Sequence, residues 1–259
     1  MIFTVSVLLI ALFQFVGMVV LLEVGRRIGL RRRRKDPEGA REGVGAGEGA
    51  IFALLGLLIA FTFSGAAARF DSRRHLIVDE TNAIWTAYLR VDMAAPDLQP
   101  ALRDSFRRYL EARLDVYRKI PDRPAVEAAL TEVSRQQKDI WRQAVAAARA
   151  PGSHPNLTML LLPALNAMFD ITTTRTMATR FHPPLIIFVM LMALALTAAL
   201  LAGHGMSTAK TRSWTHVVGF AAAVAASLYV ILEIEYPRFG LIRVDSLDQA
   251  LVELRDLMK

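Results

Sequence analysis

The sequence predicts an all-α membrane protein with four transmembrane helices and an extramembrane up-down helical bundle between the second and third spans. Three observations predict it. Apolar residues gather into four blocks, each near the roughly 20 residues that a helix needs to cross a bilayer core. Arginines crowd the first short link between blocks. The long segment between the second and third blocks shows apolar stripes at helical spacing, broken by prolines.

The chain has 259 residues, 54% of them hydrophobic, with mean hydropathy +0.34. That is rich for a soluble domain, and the excess is local rather than spread. With no cysteine, disulfide frameworks, thiolate catalysis and cysteine-based metal sites are excluded. The first span is read at residues 1–22, the second at 49–68, the third at 183–202 and the fourth at 214–235. Backbone groups in hydrocarbon must bond within their own segment, so each block is expected to be a helix. Nothing basic precedes the first block and an arginine cluster follows it. That order predicts a retained anchor rather than a cleaved signal peptide. Trp214, Tyr229 and Tyr236 lie near the ends of the fourth block, where amphipathic rings favour the interface.

Residues 23–48 read as a basic, Gly-rich loop carrying Arg26, Arg27, Arg31, Arg32, Arg33, Arg34 and Lys35. Residues 203–213 form a second short loop, with Lys210 and Arg212. Short basic loops stay in the cytoplasm, and in a four-span topology both loops share one side. The N-terminus, residues 69–182 and the tail at 236–259 then lie outside, which in a bacterial inner membrane means the periplasm. The Arg31–Lys35 run reads as a topology anchor. Lipid headgroups or nucleic acid are the functional alternative, and nucleic acid is not expected as a partner. Gly43, Gly45, Gly47 and Gly49 lack the Lys-Ser/Thr and preceding strand of a phosphate loop, and read as a linker.

The prolines at 96–100, 120–124 and 151–155 divide residues 69–182 into four helical segments. Ile77, Ile84 and Val91 continue from Phe70 at seven-residue steps. Leu102, Phe106, Tyr109, Leu110, Leu114 and Tyr117 mark the second stripe. Val126, Leu130, Val133, Ile140, Ala144 and Ala147 mark the third, and Leu161, Leu165, Met168 and Phe169 the fourth. Pro163 is expected to start or kink the last helix. Four helices with short turns return the chain to the membrane where the third span begins. In the tail, Ser246 and Gln249 have capping-box spacing ahead of Leu247, Ala250, Leu251 and Leu254.

Several stretches resemble the bestrophin-like domain family of bacterial membrane proteins. They are AFTFSGAAARFDSRRHLIVDETNAI (60–84), LPALNAMFD (162–170) with Arg175, HPP (182–184) and LEIEYPRFGLIRVDSLDQALVELR (232–255). The last is the most specific. The resemblance covers most of the chain from Gly49 onward. It implies likeness to bestrophins, which are pentameric anion channels with four spans and a helical region between spans two and three. In bestrophins that region is cytosolic, whereas the charge pattern here places it outside. No acidic calcium clasp is visible, so no pore or calcium residues are carried over.

Two polar groupings stand out. Glu80 and Asp170 lie roughly 16–18 Å from the membrane surface if counted along helices leaving at Arg69 and re-entering at His182. Asn82 and Asn166 fall near that level, and Arg175 slightly below it. This layer either binds a cation or small solute, or is a hydrogen-bonded layer that fixes helix register. Metal-ligand spacing is absent. A collar of Arg69, Arg73, Arg74, His182, Glu233, Glu235 and Arg238 is expected at the outer membrane surface. It reads either as an ion-attracting vestibule or as an interfacial salt-bridge belt. Within the spans, Phe61, Thr62, Phe63 and Ser64 are candidate pore-lining residues, or else backbone-bonded packing residues. Gln14 is the lone mid-span amide. With no mid-span acid or base, charge-coupled transport is disfavoured.

No cofactor, metal or enzymatic motif is expected. The functional expectation is a homo-oligomeric ion channel in the lipid bilayer, because one four-helix unit this apolar has no room for its own aqueous pore. The alternative is an envelope sensor or scaffold whose external bundle binds a ligand or protein partner.

Overall fold

The computed structural model describes residues 2–35, 44–120, 122–208, 213–242, 244 and 248–258. Among them the secondary structure is entirely helical: α1 (Ile2–Lys35), α2 (Val44–Leu89), α3 (Gln99–Arg118), α4 (Arg123–Ala148), α5 (Leu157–Ala178), α6 (Leu185–Gly205), α7 (Trp214–Glu235) and α8 (Gln249–Leu257). The chain divides into two compact units. One holds Met1–Phe70 and His182–Ile242; the other holds Asp71–Phe181 and Arg243–Lys259.

In the first unit α1 packs along both α6 and α7. The α1–α6 seam is a backbone contact made possible by glycine. A Cβ on Gly25 would overlap the Leu200 carbonyl, and one on Gly203 would overlap the Leu22 carbonyl. Gly29, one turn beyond Gly25, lies against Ser207 and the His204 carbonyl. This small-xxx-small spacing lets helices approach closely where no hydrophobic force drives them together. Gln14, the lone mid-span amide, donates to the Met192 carbonyl across the same seam at 3.4 Å. The first part of α2 is held by side chains, including an edge-to-face contact of Phe52 with Phe220 at 6.0 Å.

The second unit is built on the remainder of α2 with α3, α4, α5 and α8. Here α3 packs on α4, α4 on α5 and α8 on α3. Ile84, Tyr88, Phe106, Leu110, Val133, Ile140, Leu161 and Leu165 share one core, which α8 enters with Leu251 and Leu254, followed by Met258 just past its end. Of the prolines at these breaks, Pro96, Pro151 and Pro155 lie in turns, while Pro100 and Pro124 lie in the first turns of α3 and α4. Asp122 caps α4 by accepting from the Ala125 amide at 3.1 Å. Gly152 takes φ 86° between α4 and α5, a conformation glycine adopts without Cβ strain.

Several expectations are corrected. The linker expected at residues 23–48 is largely helical: α1 continues to Lys35 and α2 starts at Val44, so Gly45, Gly47 and Gly49 are helical. Arginine is a good helix former, and extending an existing helix adds one bond per residue fixed. Pro163 lies inside α5, which removes the first of its two expected roles, starting the helix. Gly43, Lys210, Arg212, Ser246 and Leu247 lie outside the described residues. Four spans were expected, and among the described residues five helices meet the length and apolarity of a membrane crossing: α1, α2, α5, α6 and α7. The unexpected one, α5, is the least apolar of the five.

Candidate functional site

The second unit contains a buried ion cluster assembled from the apolar stripes themselves. On α2, Glu80 falls between Ile77 and Ile84 on the inward face, and it is fully buried. On α3, Arg113 follows Phe106 and Tyr109 along the buried stripe. On α5, Thr172 and Arg175 continue Leu161, Leu165 and Met168 at three- and four-residue steps. Arg113 Nε donates to Glu80 Oε1 at 2.5 Å, and Arg175 Nη1 donates to Glu80 Oε2. Arg175 Nη2 reaches Asp248 Oδ1 at 2.5 Å. The Tyr117 hydroxyl accepts from Arg113 and donates to Glu80 Oε2 at 3.3 Å. The Arg175 guanidinium lies 4.0 Å from the Tyr117 ring centroid. Tyr109 and Thr172 share a 2.7 Å hydroxyl contact beside the cluster.

Two guanidiniums thus face two carboxylates. Burial pushes the Glu80 carboxyl up, but Arg113 and Arg175 outweigh it and hold the group down at about 2. Burial raises the Tyr109 hydroxyl above its ordinary value. The set is charge-balanced and joins α2, α3 and α5 to Asp248 ahead of α8. Of the expected polar layer, Glu80 and Arg175 meet. Asn82, Asn166 and Asp170 do not join them and lie on the exposed surface. Arg113, Tyr117, Thr172 and Asp248 complete the cluster without having been singled out. For Arg113 and Thr172 the signal was a polar residue standing in an apolar stripe, and Tyr117 had been read only as a member of its stripe.

The residues of the expected collar are divided between the two units. In the first unit Arg69, His182 and Glu235 converge. Glu235 is fully buried and accepts from Arg69 Nη2 at 2.6 Å, and it lies 3.0 Å from His182 Nδ1. The His182 ring stacks on Tyr236 at 4.3 Å. Glu233, also buried, turns instead to the backbone after α7, accepting from the Leu241 and Ile242 amides. A Cβ on Gly240 would overlap the Glu233 carboxylate, which would have to shift. Arg238 is half-buried in the same turn. In the second unit Arg73 donates to the Ala178 and Phe181 carbonyls at 3.1 and 2.9 Å, closing the end of α5. Arg74 pairs with Asp71 at the surface.

On α2 the four candidate pore residues do not share a face. Thr62 is buried and donates to the Leu58 carbonyl at 2.6 Å. Phe61, Phe63 and Ser64 are exposed, Phe61 to 66%. Gly56 has no atom near the position of a Cβ. Among the candidate spans, that of α2 is the least buried. Among the described residues no cluster of His, Asp or Glu has the form of a metal site.

The sequence pattern of the Bestrophin-like domain matches residues 11–247. No curated protein and no solved structure matches the chain.

Proposed function

The chain belongs to the bestrophin-like domain family and is a multi-pass membrane protein, and from that premise we propose that it is a homo-oligomeric ion channel of a bacterial inner membrane. In this reading α1, the first part of α2, α6 and α7 cross the bilayer, and α5 belongs to an external up-down bundle. The surface of α5 supports this: Asn166, Asp170, Thr173 and Thr174 are exposed along it, and an exposed aspartate in hydrocarbon is costly. The exposed side chains of α1, among them Leu9, Phe13, Val16 and Val20, are apolar and suit lipid. The basic run at the end of α1 holds that end in the cytoplasm and places the second unit outside.

The observation that carries the channel reading is the unfilled face of α2. Gly56, Ala60 and Ser64 recur at four-residue steps on it, beside exposed Phe61 and Phe63. Small residues at that spacing are what close helix contacts in membranes use, and several copies meeting there would enclose a pathway that one copy cannot. Arg69, His182 and Glu235 would then flank the outer mouth. Purification in mild detergent tests this directly. The expected result is a ring of several copies that conducts in planar bilayers. A monodisperse monomer without conductance would overturn it.

A further inference from the structure

Two edges run the length of α1. One is packed: Met18, Leu22, Gly25 and Gly29 face the α6 seam. Arg33 extends that side by donating to the Ser207 carbonyl at 2.9 Å. The other edge is exposed and apolar: Leu9, Phe13, Val16, Val20 and Val24 follow one another at three- and four-residue steps. The same step carries the edge on to Arg27, Arg31 and Arg34, all exposed. The lipid-facing edge therefore becomes a row of guanidiniums without leaving its helix or its face.

The lengths agree with a headgroup position. From Val5 to Val24 the helix rises about 29 Å, the thickness of the hydrocarbon core. Arg27 then falls about 5 Å beyond the core edge, within the headgroup layer, and Arg31 and Arg34 fall about 10 and 15 Å beyond it, on the water side, from where long side chains reach back toward the phosphates. Arg27 shares Glu23 at 2.8 Å. Among the described residues no carboxylate pairs with Arg31 or Arg34. Guanidinium forks match phosphate oxygens in pairs.

We propose that the Arg27–Arg31–Arg34 edge of α1 is a binding site for the phosphate of anionic phospholipid headgroups, whose acyl chains lie along Val20 and Val24. The site goes beyond holding the topology, because it selects lipids by headgroup charge. It rests on α1 crossing the bilayer and not on conduction, so a protein that fails to conduct still reports on it.

The test reconstitutes the full chain in nanodiscs containing a minority of phosphatidylglycerol in phosphatidylcholine. The lipid retained by the protein after mild detergent extraction is then quantified. The expected result is enrichment of phosphatidylglycerol over the bulk ratio. R31Q/R34Q, which leaves Arg26, Arg27, Arg32 and Arg33 to hold orientation, should lower it by about 5-fold per arginine removed. R135Q/R142Q, on the exposed face of α4, should leave it unchanged. If R31Q/R34Q does not insert, the unmodified chain decides alone. Its enrichment should fall as added salt shortens the screening length, and enrichment indifferent to salt overturns the site. Equal enrichment in the unmodified chain and R31Q/R34Q also overturns it. So does displacement of the lipid by inorganic phosphate beyond that caused by sodium chloride at the same ionic strength, which would assign the edge to a free anion, or by a duplex oligonucleotide at constant ionic strength, which would assign it to nucleic acid.

Discussion

Glu80 holds two arginines in place with one carboxylate, inside a core that offers them no water. Replacing it by glutamine leaves the guanidiniums of Arg113 and Arg175 short of a counter-charge. Removing one partner from a buried pair typically costs about 3–5 kcal/mol. E80Q should therefore unfold at markedly lower denaturant, measured by the fluorescence of Trp85 and Trp141 in the second unit. The pH dependence follows from the same geometry. The folded carboxyl sits at about 2 against an ordinary value of 4.5. A depressed carboxylate contributes stability that is fully present above its unfolded value and lost as pH falls through its folded value. The contribution should be intact above pH 4.5 and vanish toward pH 2, amounting to about 3 kcal/mol. An acid titration of the same fluorescence should show this component in the unmodified protein and lack it in E80Q. Glu80 and Arg175 were legible in the sequence because each stands on an apolar stripe. Asn82, Asn166 and Asp170 misled because distance from the membrane fixes height and not direction around the helix. At 100° per residue, Asn82 points about 160° away from Glu80, while Asn166 and Asp170 point about 180° and 140° away from Arg175.

At the scale of the element, the closest constraint is the α1–α6 seam. An added methyl at Gly25 or Gly203 meets backbone, which cannot swing aside as a side chain can. G25A and G203A should each destabilise the first unit by about 1–3 kcal/mol, whereas G219A, on an open face of α7, should be near neutral. Thermal melting of the three variants in one detergent checks the order. The helices and turns were largely legible, since amphipathic stripes and proline breaks are local signals. The glycine seam was not, because Gly25 and Gly29 gain their meaning from Gly203, far away in the chain. The helical extension of α1 was hidden for a different reason. A run of arginines announces a charged surface but does not say whether its backbone is helix or loop.

For the molecule as a whole, the surfaces that hold one copy together differ from the surface left for others. G56L should leave the monomer folded, because nothing lies near that position, yet break the ring seen in mild detergent and abolish conductance. G25A should weaken the fold itself. The topology carries everything else, and α5 is where it is most exposed to contradiction, since its length and composition also permit a crossing. The native chain has no cysteine, so single cysteines at His154, Arg180 and Lys35 report without background. His154 and Arg180 flank α5, and all three positions are exposed. An impermeant thiol reagent applied to whole spheroplasts should label the positions at both ends of α5 and spare the one at Lys35. Labelling at one end of α5 alone would make that helix a fifth span and contradict the four-span account.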